Sequence, residues 1–292
     1  MAKPGTTVGQ VLLARVEEQA AALAGLDDAV RADEPDAVHR MRVACRRLRS
    51  ALRTFRRLFA PGATDGLVAE LRWLAGELGA ARDHEVLAAR LAAEARELPA
   101  ACGPERVAAA LERWGEAEYR RIRPAVLAAL DSPRRRALGE ALAALLADPP
   151  LRRRAGRAAV PELSRIAARE QDRTAERVRT ALAADPADRD AALHAARKAA
   201  KRARYAGETA APVVGARAER YAKRMKAVQD VLGEHQDAVV AAGTLAAHAA
   251  GSGEPFGYGV LYGRQLAARE AARSRLPDAW RRAGKRKRAR FG

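Results

Sequence analysis

The residues best equipped for chemistry in this chain are basic and periodic. Positions 39, 42, 46, 49, 53 and 56 are His, Arg, Arg, Arg, Arg and Arg. A spacing of three and four puts them on one stripe of a helix, each about 5–6 Å from the next. Like charges so placed repel each other, and no carboxylate lies between Asp36 and Asp65 to relieve them. A guanidinium offers a flat fork of donors that matches phosphate oxygens, and it stays charged at physiological pH. The chemistry this stripe suits is capture of an anion with many oxygens. An apolar seam runs beside it: positions 38, 41, 45, 48, 52, 55 and 59 are Val, Met, Cys, Leu, Leu, Phe and Phe. That seam is the face that packs.

The stripe occurs twice. Residues 38–53 read VHRMRVACRRLRSALR, and residues 193–208 read LHAARKAAKRARYAGE. At an offset of 155, His39 meets His194, Arg42 meets Arg197, Arg46 meets Lys201, Arg47 meets Arg202 and Arg49 meets Arg204. A second pair, LGAARDHEV from Leu78 and LGEHQDAVV from Leu232, matches Gly79, Asp83 and Val86 to Gly233, Asp237 and Val240 at an offset of 154. Two matched segments at nearly one offset indicate a duplication. The second stripe is His194, Arg197, Lys201 and Arg204, widened by Lys198 and Arg202 and ended by Glu208. If each apolar seam faces a bundle core, the two stripes can face a shared groove that focuses positive potential.

Other reactive side chains are few. His39 and His194 each lead a stripe. Two readings stand side by side: a hydrogen bond or charge offered to a phosphate, or a histidine near a helix start that satisfies backbone. His84, His235 and His248 show no ligand spacing, which argues against a metal site. Asp83 and Asp237 are the acids retained by the duplication, and orientation of an arginine fork is the preferred role over simple turn chemistry. Cleavage of phosphoanhydrides ordinarily needs a metal held by clustered carboxylates. Asp83, Glu85 and Asp237 are too few and too separated for that, so the expectation is a binder, not an enzyme, with no cofactor.

The elements that must position these residues are helices. Ala, Leu, Arg and Glu dominate, aromatics are only 4% of the 292 residues, and no run alternates in the manner of a strand. Breaks at Pro, Gly and Asp clusters predict helices near 8–31, 36–59, 65–96, 104–129, 133–147, 160–184, 188–210, 216–250 and 259–274. Residues 148–160 read as a linker between an N-terminal half (8–147) and a C-terminal half (161–276). Residues 282–292, which contain GKRKRARFG, read as a disordered basic tail. The net charge of +18 draws anionic partners. The start MAKPGTTVGQVLLARVEEQ has no apolar signal core, no stretch is apolar enough to span a membrane, and Cys45 and Cys102 form no disulfide framework. A cytoplasmic location is the default expectation.

VHRMRVACRRLRSALRTF (38–55), LRWLAGELGAARDHEV (71–86), LHAARKAAKRARY (193–205) and MKAVQDVLGEHQDAVV (225–240) resemble the CHAD family, the conserved histidine α-helical domain. The resemblance covers nearly the whole chain as one domain. It implies an all-α fold of two four-helix-bundle halves related by a pseudo-twofold axis, with a basic central cleft. It also implies inorganic polyphosphate as the ligand and association with polyphosphate granules. By motif position the implied contacts are His39, Arg42, Arg46, Arg49, Arg53, His194, Arg197, Lys201 and Arg204, with Arg82, Lys223 and Lys226 beside the later motifs. No ExExK motif of the triphosphate-tunnel domain fused to some members occurs. Ala195, Ala196 and Gly207 depart from the usual pattern and thin the second half's packing. The alternative function is a nucleic-acid-binding protein. Against it, base stacking wants exposed aromatics, and Tyr205 is the only candidate in the stripes.

Overall fold

The structure is a computed structural model. It describes residues 5–249, 251, 253–285, 289 and 291, and of residues 80–83 the backbone alone. The fold is all-α, with no strand among the described residues. The helices are α1 (Val8–Ala24), α2 (Asp27–Arg31), α3 (Ala37–Thr54), α4 (Asp65–Arg96), α5 (Pro104–Asp131), α6 (Pro133–Ala147), α7 (Ala159–Ala183), α8 (Arg189–Val214), α9 (Ala216–Ala249) and α10 (Pro255–Ala283). Local chemistry sets several boundaries. Thr7 opens α1 with a capping box, its side chain accepting from Gln10 N–H while Gln10 reaches back to the Thr7 amide. Ser132 caps α6 by accepting from Arg135 N–H.

The differences from the sequence reading have identifiable causes. The helix expected over 8–31 breaks into two at Gly25, which ends α1. The expected end of α8 at 210 is passed because the chain stays helical through Pro212 to Val214. Likewise α10 continues through Pro277, since Leu276, Ala279 and Ala283 are buried beyond the expected end. Core burial there outweighs the hydrogen bond each proline removes.

Neighbours in sequence pack as neighbours in space: α3 on α4 and α4 on α5, then α7 on α8, α8 on α9 and α9 on α10. Helices α3 and α8 also meet each other. The main core does not part at 148–160. It joins Leu12, Met41, Leu48, Leu52 and Leu71 to Leu163, Ile166, Leu193, Tyr221 and Met225. A smaller cluster links the far ends of α4 and α5 with α9 and α10, through Leu91, Leu111, Leu245 and Leu261. Cys45 and Cys102 are buried free thiols, and burial pushes Cys45 up to about 12.

The segment from Asp148 to Ala158 is stitched to the start of α1 and to the turn after α3. Ala60 N–H donates to Pro150 O at 2.8 Å, Arg152 N–H to Leu58 O at 2.8 Å, and Val8 N–H to Arg157 O at 3.0 Å. The expectation of a disordered tail is corrected at Ala289 and Phe291, both of which are buried. Phe291 lies edge-on to Tyr221 at 5.9 Å, its N–H donates to Ser164 Oγ at 3.0 Å, and its carbonyl accepts from Arg217 at 3.1 Å. A single aromatic anchor suffices where a periodic apolar face is absent. The tail residues 286–288, 290 and 292 lie outside the described residues. No described helix is long and apolar enough to cross a membrane.

Gly207 thins α8, as the sequence suggests, and the thinning lets α9 approach. A Cβ there would sit 2.8 Å from the Tyr221 ring and 3.1 Å from the Ala222 backbone N. Gly76 on α4 faces open space. Gly207→Ala is therefore expected to destabilise by about 1–3 kcal/mol through overpacking, whereas Gly76→Ala stabilises by about 0.5–1 kcal/mol. Denaturant melts of the two variants check the opposite signs.

Candidate functional site on α3 and α8

The apolar seam of α3 is buried as expected: Met41, Cys45, Leu48 and Leu52 are 0% exposed. On α8, Leu193, Ala196, Ala200 and Ala203 do the same work. With those faces turned inward, the basic stripes lie along the flank where the two helices meet. Arg42, Arg46 and Arg49 are half-buried, as are His194, Arg197, Lys201 and Arg204, while Arg53 is exposed.

The two stripes converge on Lys201. Burial comes first among the causes that push its ammonium down to about 7, followed by the positive charges of Arg197, Arg46, Arg204 and Arg49. Two of those cations come from α3 and two from α8. Arg49 feels the same crowding: burial first, then Arg53, Arg72 and Arg46, hold its guanidinium below the usual arginine value. Arg46 crosses between the helices, its Nε–H donating to Tyr205 Oη at 3.0 Å.

The matched arginines are seated alike. The Arg42 guanidinium lies over Gly79 of α4, its Nη2 3.5 Å from where a Cβ would be. The Arg197 guanidinium lies over Gly233 of α9, its Nε 3.6 Å from the equivalent point. Any side chain longer than a methyl at either glycine would displace the guanidinium. The duplication had retained both glycines, so the signal was present in the sequence, but nothing there showed what crossed them.

The leading histidines differ in surroundings. His194 Nδ1 and Gln236 Oε1 are 2.6 Å apart. Burial, aided by Lys198, Arg197 and Lys201, holds His194 below its usual value despite the Gln236 bond. The shift favours its neutral form. His39 is exposed and lines a cavity of about 780 Å³ together with Asp33, Glu34, Asp36, Glu85 and Glu112. Three of those carboxylates are paired with arginines, Asp33 with Arg123, Glu34 with Arg40 and Glu112 with Arg96, so the first stripe starts among ion pairs. The third residue of α3 is His39 and the sixth of α8 is His194, neither of them an N-cap.

The remaining candidates scatter. Lys223 and Lys226 are exposed on α9, and Lys226 Nζ pairs with Asp230 at 2.6 Å on its own helix. The side chains of Arg82 and Asp83 lie outside the described residues. Asp237 is exposed, and its backbone carbonyl accepts from Arg90 at 3.2 Å. Tyr205 is buried, 5% exposed, and offers no stacking face. Residues the sequence reading passed over include Arg72, Gln236 and Arg15. Arg15 reaches the site from α1, with Nη2 3.7 Å from Glu208. Their places depend on packing between helices and leave no periodic trace. Among the described residues no group of His, Cys, Asp and Glu could hold a metal ion.

Comparison with known proteins places this arrangement. Two uncharacterized proteins of Mycobacterium tuberculosis, one from strain CDC 1551 / Oshkosh and one from strain ATCC 25618 / H37Rv, are each 38% identical over 280 residues. The match takes in 92% of this chain and 52% of each relative, so the chain spans about half the length of these curated relatives. Among solved structures, PptA from Streptomyces chartreusis superposes with a TM-score of 0.78 at 26% identity, over 94% of this chain and all of that one. The CHAD domain from the plant Ricinus communis gives 0.68 at 26% identity, over 96% and 92% of the two chains. The CHAD domain pattern matches residues 14–246, which include both basic stripes and both seating glycines, and the chain belongs to the CHAD domain family.

Proposed function

We propose that this domain binds inorganic polyphosphate, without turning it over, on the basic face shared by α3 and α8. The observation that carries the reading is the convergence of Arg46, Arg49, Arg197 and Arg204 on Lys201. Gathering five cations in a half-buried place costs stability in the free protein. A polymer with one negative charge on each internal phosphate relieves that crowding along its whole length. The buried Tyr205 removes the one aromatic that favoured nucleic acid. By the same reading the protein works in the cytoplasm, with polyphosphate granules as its place of recruitment.

Binding should be dominated by charge and counterion release. Affinity for long-chain polyphosphate is expected to fall roughly a hundredfold or more between ~50 and ~200 mM salt. The double change Arg46→Glu and Arg49→Glu should abolish binding at low salt with helix content unchanged by circular dichroism, because neither residue lies in the buried seam. Retained affinity in that variant places the site elsewhere. Duplex or single-stranded nucleic acid displacing polyphosphate at equal phosphate concentration would favour the nucleic-acid alternative. Phosphate release with added magnesium or manganese would overturn the non-catalytic reading.

A pH dependence follows from Lys201. Free, its ammonium titrates at about 7; a bound polyanion raises that value, so binding takes up a proton. Affinity is therefore expected to fall as pH rises above 7, by at most about tenfold per unit for one proton. Below pH 7 Lys201 is already charged and this contribution flattens. Calorimetry with long chains at pH 7, 8 and 9 measures the slope. Lys201→Met should bind more weakly at pH 7 and lose the slope; an unchanged slope in that variant assigns the proton to another group.

A further inference from the structure

The duplication fails at one place in the stripe. Position 208 is Glu where its counterpart at an offset of 155 is Arg53. Three arginines from three helices gather on this carboxylate. Arg204 Nε on α8 lies 3.1 Å from Glu208 Oε1. Arg15 Nη2 on α1 lies 3.7 Å from Oε2, and Arg47 Nε on α3 lies 4.0 Å from it. The last two distances are too long for hydrogen bonds. Glu208 Oε2 and Arg47 Nε are both buried without a hydrogen-bond partner among the described residues.

The carboxylate thus makes no hydrogen bond to Arg15 or Arg47. Ser50 and Thr54 lie near Arg47 on α3. Each residue is more than nine-tenths buried, at 7% and 8% exposed, and neither hydroxyl has a hydrogen-bond partner among the described residues. Both line one interhelical seam with Arg15, Arg47 and Tyr205, which is too tight to admit a water and which Glu208 and Arg204 do not line. Glu162 shows that one carboxylate can accept hydrogen bonds from three arginines, Arg154, Arg157 and Arg165; Glu208 comes that close to Arg204 alone, and a tetrahedral phosphoryl group offers the other two forks more acceptors.

We propose that Arg15, Arg47 and Arg204 form a further phosphoryl subsite, which Glu208 occupies until the ligand displaces it. The proposal rests on the polyphosphate reading and extends the basic face onto α1. Glu208 acts as an internal competitor: it keeps three cations together in the free protein and lowers the affinity of that end for the polymer. Arg15 keeps Glu18, whose Oε2 lies 2.6 Å from its Nη1, when Glu208 leaves.

Titration of long-chain polyphosphate at two salt concentrations tests this. Glu208→Gln should bind about three- to fivefold tighter than wild type, the reverse of losing an ion pair. Its log affinity against log salt should steepen by about 1. Glu208→Asp, which keeps the charge, should stay near wild type. Adding Arg15→Gln to Glu208→Gln should remove the gain. A purely structural glutamate would instead lower the melting temperature with affinity unchanged or weaker, and that result in a folded Glu208→Gln protein overturns the proposal. If Glu208→Gln does not fold, Arg15→Gln alone decides: a shallower salt slope supports the subsite, and an unchanged slope overturns it. No binding by wild type overturns the polyphosphate reading and the subsite with it.

Discussion

Mutual repulsion of cations across the α3–α8 seam is the constraint on which the rest of the structure turns. Arg46, Arg49, Arg197 and Arg204 surround Lys201 closely enough to hold its ammonium at about 7. Arg46 to Tyr205 and Arg47 to Glu208 bridge the two helices against this repulsion. They are kept together by what lies beneath: Met41, Cys45, Leu48 and Leu52 on one side, Leu193, Ala196, Ala200 and Ala203 on the other, all essentially removed from water. Each buried methylene contributes about 0.8 kcal/mol, and the sum over both seams opposes a repulsion that partial solvent exposure already weakens. Small alanines on α8 let the helices come close. The same closeness brings the charges together.

The packing around this seam leaves the helices before and after residues 148–160 little freedom to separate. They share one main core, and a second cluster ties their far ends. The connecting segment bonds back to the residues around Leu58 and to the start of α1. Phe291 returns the last described residues of the chain to α7 and α9. The face over α3 and α8 is thus carried on one continuous core.

The sequence disclosed the parts of this site that repeat with the helix. Periodicity alone separated the buried seam from the charged stripe, and the repeated segments placed both on α3 and on α8. It could not show contacts made across more than a hundred residues. Tyr205 read as an open aromatic because its position flanks the stripe, yet Arg46 and the core enclose it. His39 and His194 read as equivalents, yet one lines an acidic cavity and the other bonds Gln236 among cations. The helix passing through Pro277 and the docked Phe291 were hidden for the same reason: burial against distant partners overruled a local signal.

The glycines under Arg42 and Arg197 bear on the thermodynamics of association. An arginine on an open surface samples many rotamers, and fixing one on a ligand costs about 0.5–1.5 kcal/mol of conformational entropy. Here each guanidinium rests against the bare backbone of a neighbouring helix, at Gly79 or Gly233. Much of its rotational freedom is gone before any ligand arrives. Contacts made with these two forks, one on α3 and one on α8, should then retain more of their enthalpy as affinity than contacts with the exposed Arg53.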